Sequence, residues 1–237
     1  MKIKMKKTRN SRLSDVEQVL ILSDSVLNGV DEERLGVSYD FNCKIKKCYT
    51  NSEIEKTFQD EIRENHVKPT ITVLHVGIND LKKVSPQNAS TSFTNSVKAI
   101  KKICPQTKVV VSSVAPSSKQ DLDVKRVAYN ALNRAEMIHD NSISFLYHEN
   151  LDALTYRFMS KDGIHPTSYG SSVLARNLGR HISNVLWKVV MPKFRRPRQN
   201  HSPNAHRFQR GFKQFGYDFE HDVLPPISLR NRFSPLY

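Results

Sequence analysis

Five short segments with strand character, each followed by a stretch with helical spacing, constrain this chain more than any other feature. Glu17 to Leu22 reads as the first strand and Lys44 to Lys47 as a short second one. Thr70 to Val76, Lys108 to Val114 and Ile143 to Tyr147 follow as the third, fourth and fifth. Between them the spacing predicts helices over Ser52 to Asn65, Ser90 to Ile103 and Asp121 to His139. The first opens with Asn51 or Ser52 as its cap; the second puts Phe93, Val97 and Ile100 on one face and stops before Pro105. A last helix from about Thr167 to Val189 carries Val173, Leu174, Leu178, Ile182, Val185 and Leu186 as a stripe that should cover a sheet. Strands joined by crossovers of this length pair in parallel, because the chain returns in the same direction and with right-handed sense. The expected fold is α/β, a three-layer α/β/α sandwich on a five-stranded parallel sheet.

In such a sheet ligands bind beyond the C-terminal ends of the strands, and the polar loops there carry residue types suited to acyl transfer. Ser25 follows the first strand at the start of an expected helix, where free N–H groups favour a developing anion. Its hydroxyl becomes a nucleophile if an imidazole takes its proton. Asp162 and His165 lie three residues apart ahead of the last helix, so the carboxylate can hold one ring nitrogen and leave the other as base. Asn79, after the third strand, offers a side-chain N–H to an oxyanion. Each signal alone is also the signature of a cap or a turn. Their joint placement on one sheet edge is what points to a site.

Taken as blocks, these residues resemble the SGNH or GDSL hydrolases over about Val16 to Val190. Ser23-Asp24-Ser25-Val26 is similar to the nucleophile block, Gly77-Ile78-Asn79-Asp80 to the block that supplies the oxyanion Asn, and Asp162-Gly163-Ile164-His165-Pro166 to the final block. The resemblance implies a flavodoxin-like SGNH hydrolase fold, a Ser25-His165-Asp162 triad, and an oxyanion site built from Ser25, Asn51 and Asn79, with Asp24, Gly77 and Asp80 in support. Two positions depart from the pattern. Ser23 stands where a glycine usually opens the nucleophile block, and Asn51, in Cys48-Tyr49-Thr50-Asn51-Ser52, is the counterpart of a second glycine. The donor at that second position is a backbone N–H, which a side chain does not remove, and Asn tolerates left-handed backbone better than most residues. Losing one such donor would cost about 3 to 4 kcal/mol of transition-state stabilisation.

Charge sets the ends apart from the middle. Residues 1–15 carry a net +5 and residues 191–237 a net +6, leaving +3 of the +14 total for the centre. This divides the chain into a basic arm (1–15), a hydrolase-like domain (16–190) and a basic tail (191–237), both ends expected to be disordered. The arm lacks the apolar run of a secretory signal, and no stretch approaches a membrane span, so the expectation is an intracellular protein, cytoplasmic or nuclear. In the tail, Arg195, Arg196, Arg198, Arg207, Arg210 and Lys213 could neutralise phosphates, while Phe208 and Phe212 could stack on unpaired bases. A solvated extension or a nuclear import address fits the same residues.

Cys43, Cys48 and Cys104 are odd in number and lack metal-ligand spacing, so small buried side chains are expected, with neither a zinc site nor a disulfide framework. His75 lies within the third strand and reads as a packed residue; His139 and His148 read as surface residues. Asp24 and Asp80 should hydrogen-bond amides of their own turns. Two functions remain open at this point. One is a serine esterase cleaving a small acyl ester without metal or organic cofactor. The other is a platform that binds RNA or another polyanion through its basic ends, as the OSK domain of Oskar and some retroelement proteins of similar fold suggest.

Overall fold

The computed structural model describes residues 17–190 apart from 67, 149–150 and 152–154. The basic arm and the basic tail, with all eight tail residues named above, lie outside the described residues. Strands β1 (Gln18–Ser23), β2 (Asn42–Lys47), β3 (Ile71–His75), β4 (Lys108–Ser112) and β5 (Ile143–Leu146) form one sheet in the order β2-β1-β3-β4-β5. Every pairing is parallel, with Ser23 level with Lys47 on one side and with His75 on the other. Burial follows position in the sheet: all five residues of β3 are buried, whereas the edge strands β2 and β5 are mostly half-buried. Lys44 and Lys46 on β2 bond Glu61, and charge of this kind suits an exposed sheet edge.

The helices are α1 (Glu32–Tyr39), α2 (Ile54–Asn65), α3 (Ile78–Leu81), α4 (Pro86–Ile103), α5 (Gln120–Met137), α6 (Thr155–Phe158) and α7 (Ser168–Val190). α1 packs with α7, and α4 packs with both α2 and α5, giving the helical layers on the two faces of the sheet. The stripe expected on the last helix is buried at all six positions, including Leu174, Leu178 and Ile182 at 0% exposure. α4 begins four residues earlier than its apolar spacing suggests. Ser85 caps it by accepting from the Asn88 N–H at 3.3 Å, and Pro86 fills the first turn, where its missing N–H costs nothing.

α1 was not legible from periodicity. It buries only Leu35 and Gly36, too few apolar positions to make a face, and its ends are set by Asp31 as N-cap and Asp40 in left-handed conformation. Ser25 opens a single 3-10 turn, Ser25–Leu27, instead of the helix expected there. The helix-dipole contribution falls away accordingly, since one turn has little to sum.

The chain leaves β1 toward β2 on one side and leaves β3 toward β4 on the other. β1 and β3 are adjacent, so the order of the sheet reverses between them. Loops from neighbouring strands diverge at such a point and open a crevice above the strand ends. Ser25 follows β1 and Asn79 follows β3, which places both on that crevice.

Candidate active site

The nucleophile loop is tied down by Asp24. This side chain is 3% exposed and its Oδ1 accepts from the Val26 N–H at 3.0 Å. Burial pushes its carboxyl up to about 6, opposed by bonds from the Val26, Ile78 and Gly77 amides and by the charge of Lys82. Asp24 therefore bonds its own turn, as expected, and also the loop after β3. The Ser25 side chain is left pointing away from these contacts, with Oγ 2.8 Å from His165 Nε2.

His165 is presented by a loop whose conformation the Asp162 carboxylate organises. Asp162 Oδ1 accepts from the Ile164 N–H at 2.9 Å, the His165 N–H at 3.0 Å and Ser160 Oγ at 2.7 Å. Its Oδ2 bonds His165 Nδ1. The bond from His165, followed by the backbone amides, holds the Asp162 carboxyl well below the usual carboxylate range. With Nδ1 committed to an ionised carboxylate, the proton of a neutral ring sits on Nδ1 and Nε2 faces Ser25 as acceptor. Gly163 turns the loop at φ +73°, and its carbonyl accepts from the Ser117 hydroxyl at 2.7 Å and the Ser118 N–H at 3.0 Å. The segment after β4 thus braces the histidine loop.

The loop after β3 needs Gly77. Its φ is +141°, a region side chains rarely adopt, and a Cβ there would lie 2.7 Å from the ring of Tyr129. Two residues on, Asn79 Nδ2 donates to the Tyr49 carbonyl at 3.0 Å, and Oδ1 accepts from Lys82 Nζ at 2.9 Å. An amide nitrogen carries two hydrogens, so one N–H of Asn79 remains for another acceptor. The Ser25 N–H is also undonated among the described residues.

Asn51 is placed differently from its expected role. It is fully buried, and its N–H donates to Asp80 Oδ2 at 3.0 Å. Its side chain donates to the Ala89 carbonyl at 3.0 Å and accepts from Tyr129 Oη at 3.3 Å, while its carbonyl accepts from Ser96 Oγ at 2.8 Å. Nor is it left-handed: Asp40 and His66 are the non-glycine residues with positive φ among those described. Asn51 thus serves to knit loop, α4 and α5 together. Asp80 bonds its own backbone amide, as expected, and also spans to the loop after β2. Burial raises its carboxyl above the ordinary value, against the opposing bond from Asn51.

His75 is buried as expected, with Nδ1 2.9 Å from Ser112 Oγ. His148 is not a surface residue. It is 4% exposed, and its Nε2 lies 2.9 Å from the same Ser112 hydroxyl. Its position just past β5, under α7, was hidden because a single His after a short strand carries no periodicity. His139 is exposed. Cys48 and Cys104 are buried and Cys43 half-buried, and burial pushes the Cys43 and Cys48 thiols up to about 12, unsuited to thiolate chemistry at neutral pH. No group of metal-ligating side chains occurs among the described residues.

Sequence reasoning missed Lys82, Ser117 and Ser160 as supports of the site. Lys82 was the one with a signal, standing three residues after Asn79 where a helical turn brings side chains together. Two cavities lie along α5, one of about 500 Å³ between α5 and the end of β5; neither is lined by Ser25, Asn79 or His165. The Ser25 site is instead open, with the His165 and Asp162 side chains 42% and 48% exposed.

Neither protein-family models nor curated protein sequences match this chain. Solved structures do. An acetyl esterase variant with acetate ion matches at TM-score 0.60 and 16% identity, covering 73% of this chain and 100% of its own. A carbohydrate esterase of family 3 from Talaromyces cellulolyticus matches at TM-score 0.60 and 16% identity over 73% of this chain and 99% of its own. A GDSL-like lipase from Bacteroides thetaiotaomicron matches at 0.58 and 18% over 71% and 89%. The fold is that of the SGNH or GDSL hydrolases, an α/β fold with a five-stranded parallel sheet.

Proposed function

We propose that this protein is a serine acyl hydrolase that cleaves a small ester at Ser25. The observation that carries the reading is the continuous hydrogen-bonded line from Ser25 Oγ through His165 to Asp162, drawn from loops 140 residues apart in sequence. In this reading Ser25 Oγ attacks the ester carbonyl carbon and its proton passes to His165 Nε2. The carbonyl oxygen becomes an oxyanion, held by the Ser25 N–H and the remaining N–H of Asn79. Collapse breaks the ester bond, and the leaving alkoxide takes the proton from His165. Water, deprotonated by the same nitrogen, then releases the acyl group from Ser25. Asp162 stays ionised throughout and stabilises the imidazolium.

A triad whose His165 and Asp162 side chains are this exposed suits a short acyl group whose carrier remains largely in solvent. The esterases and lipase of like fold agree with an ester substrate. A fluorophosphonate probe tests the reading. It should label the native chain and fail on Ser25→Ala and His165→Ala, with all three folded by circular dichroism. Absence of labelling on the folded native chain would refute it. In that case salt-sensitive RNA binding lost on removal of residues 191–237 would be the measurement to make next.

A further inference from the structure

We infer that Lys82 is a positioning residue for the oxyanion donor Asn79, fixing which way its amide points and strengthening the N–H it offers. The inference rests on the acyl-hydrolase reading of Ser25. Lys82 Nζ donates to Asn79 Oδ1 at 2.9 Å while Asn79 Nδ2 donates to the Tyr49 carbonyl at 3.0 Å. An ammonium group has donors only and a carbonyl oxygen accepts only. The two contacts therefore admit one orientation of the amide, with oxygen toward Lys82 and nitrogen toward Tyr49. The flipped amide would oppose donor to donor and acceptor to acceptor.

The neighbourhood gives this contact weight. The Asn51 N–H already donates to Asp80, which leaves two donors, the Ser25 N–H and Asn79, for charge that develops on a bound carbonyl oxygen. A cation on the amide oxygen draws electron density away from the nitrogen, so the remaining N–H becomes a better donor, and charge-assisted bonds are the stronger kind. Lys82 forms no ion pair among the described residues, and the carboxyl its charge acts on, Asp24, is one that burial pushes toward the neutral form. It is exposed, so its removal leaves no cavity and no buried partner without a bond.

The test compares the full native chain with Lys82→Met and Lys82→Arg, using p-nitrophenyl acetate for turnover and the fluorophosphonate probe for the rate of labelling at Ser25. Removing an oxyanion donor outright lowers kcat about 100- to 1,000-fold, so weakening and loosening one should cost on the order of tenfold. Lys82→Met should lose about that in kcat with KM within about twofold, and the labelling rate should fall in step, because phosphonylation places an oxygen in the same site. Lys82→Arg, which keeps a cationic donor, should recover most of the loss. Raising salt should lower kcat of the native chain and leave Lys82→Met nearly unaffected. Equal kcat and labelling rate in Lys82→Met and the native chain would overturn the inference while leaving Ser25 as nucleophile. Equal losses in both variants, accompanied by a lower Tm, would also overturn it, as the contact would then only hold the fold. No labelling of the native chain would bring down the inference together with the reading it rests on.

Discussion

Replacing His75 with Asn removes from the end of β3 a base that is shut away from protons in the folded chain and open to them in the unfolded one. The hydrogen bonds fix its state. Asn177 Nδ2 lies 3.1 Å from His148 Nδ1, so His148 carries its proton on Nε2 and donates it to Ser112 Oγ at 2.9 Å. Ser112 then donates to His75 Nδ1 at 2.9 Å, which leaves the His75 proton on Nε2, a buried nitrogen without a partner. A second proton on His75 must enter at Nδ1 and break the line. Burial accordingly pushes His75 down to about 4. In the unfolded chain the ring titrates at about 6.5. Unfolding thus takes up a proton between those values, and the contribution of His75 is complete above about pH 6.5 and lost as pH falls through about 4. The loss amounts to about 2 kcal/mol at pH 5 and about 3 kcal/mol at pH 4. Asp24 acts in the opposite sense. Its carboxyl, raised to about 6, is protonated first in the folded state, so acid favours the fold there, whereas His148, held well below its ordinary value by burial, is destabilised by acid in the same sense as His75. The difference between two chains cancels Asp24 and leaves His75 together with the part it adds to the lowering of His148. In His75→Asn the Asn oxygen can still accept from Ser112, and Asp24 is unchanged. Urea unfolding followed by circular dichroism at pH 7.5, 6 and 5 should show the variant less stable at pH 7.5 and the gap narrowing by about 2 kcal/mol at pH 5, with equal m-values. A gap that stays constant within about 0.5 kcal/mol refutes the reasoning.

Asn51→Gly introduces the small residue found at this place in the hydrolases whose fold the chain shares, yet it should not raise activity, because the backbone N–H stays on Asp80. It should instead destabilise by about 2 to 4 kcal/mol through the lost bonds to Ala89 and Tyr129, read by urea unfolding; faster p-nitrophenyl acetate turnover would contradict this. Gly77→Ala forces a Cβ toward the Tyr129 ring at a φ of +141°, and a loss of about 2 to 4 kcal/mol is expected, with Asn79 displaced and labelling of Ser25 slowed. A Gly77→Ala chain of native stability would mean that Tyr129 moves aside freely.

The strands were readable because their burial imposes a period on the sequence. β3, β4 and β1 lie in the middle of the sheet, and their apolar runs place their ends within one or two residues. The same holds for α7, whose six apolar positions all turn inward. α1 escaped because Leu35 is its one buried large side chain, and Val37 in the same helix is 80% exposed, so no face repeats. A short capped helix is held by Asp31 at its start and by the turn at Asp40, signals that also mark ordinary loops.

The candidate site divides along a related line. Ser25, Asn79, Asp162 and His165 could be picked out because the acyl chemistry proposed for the site restricts what can stand at each place: a hydroxyl, an amide, a carboxylate three residues from an imidazole. The groups that hold them obey no such restriction. The Tyr49 carbonyl that anchors Asn79 would be present with any side chain at that position. The Ser117 and Ser118 contacts to Gly163 come from a loop that starts at another strand. Asn51 shows the consequence most directly. Its place in the sequence suggested a donor to the oxyanion, but the direction of a backbone N–H is decided by whichever acceptor the fold brings near it. Here that acceptor is Asp80, brought within 3.0 Å because β1 separates β2 from β3 by a single strand and both loops rise over its end. Strand order, which sequence period does not specify, therefore determines how many donors the site has to offer.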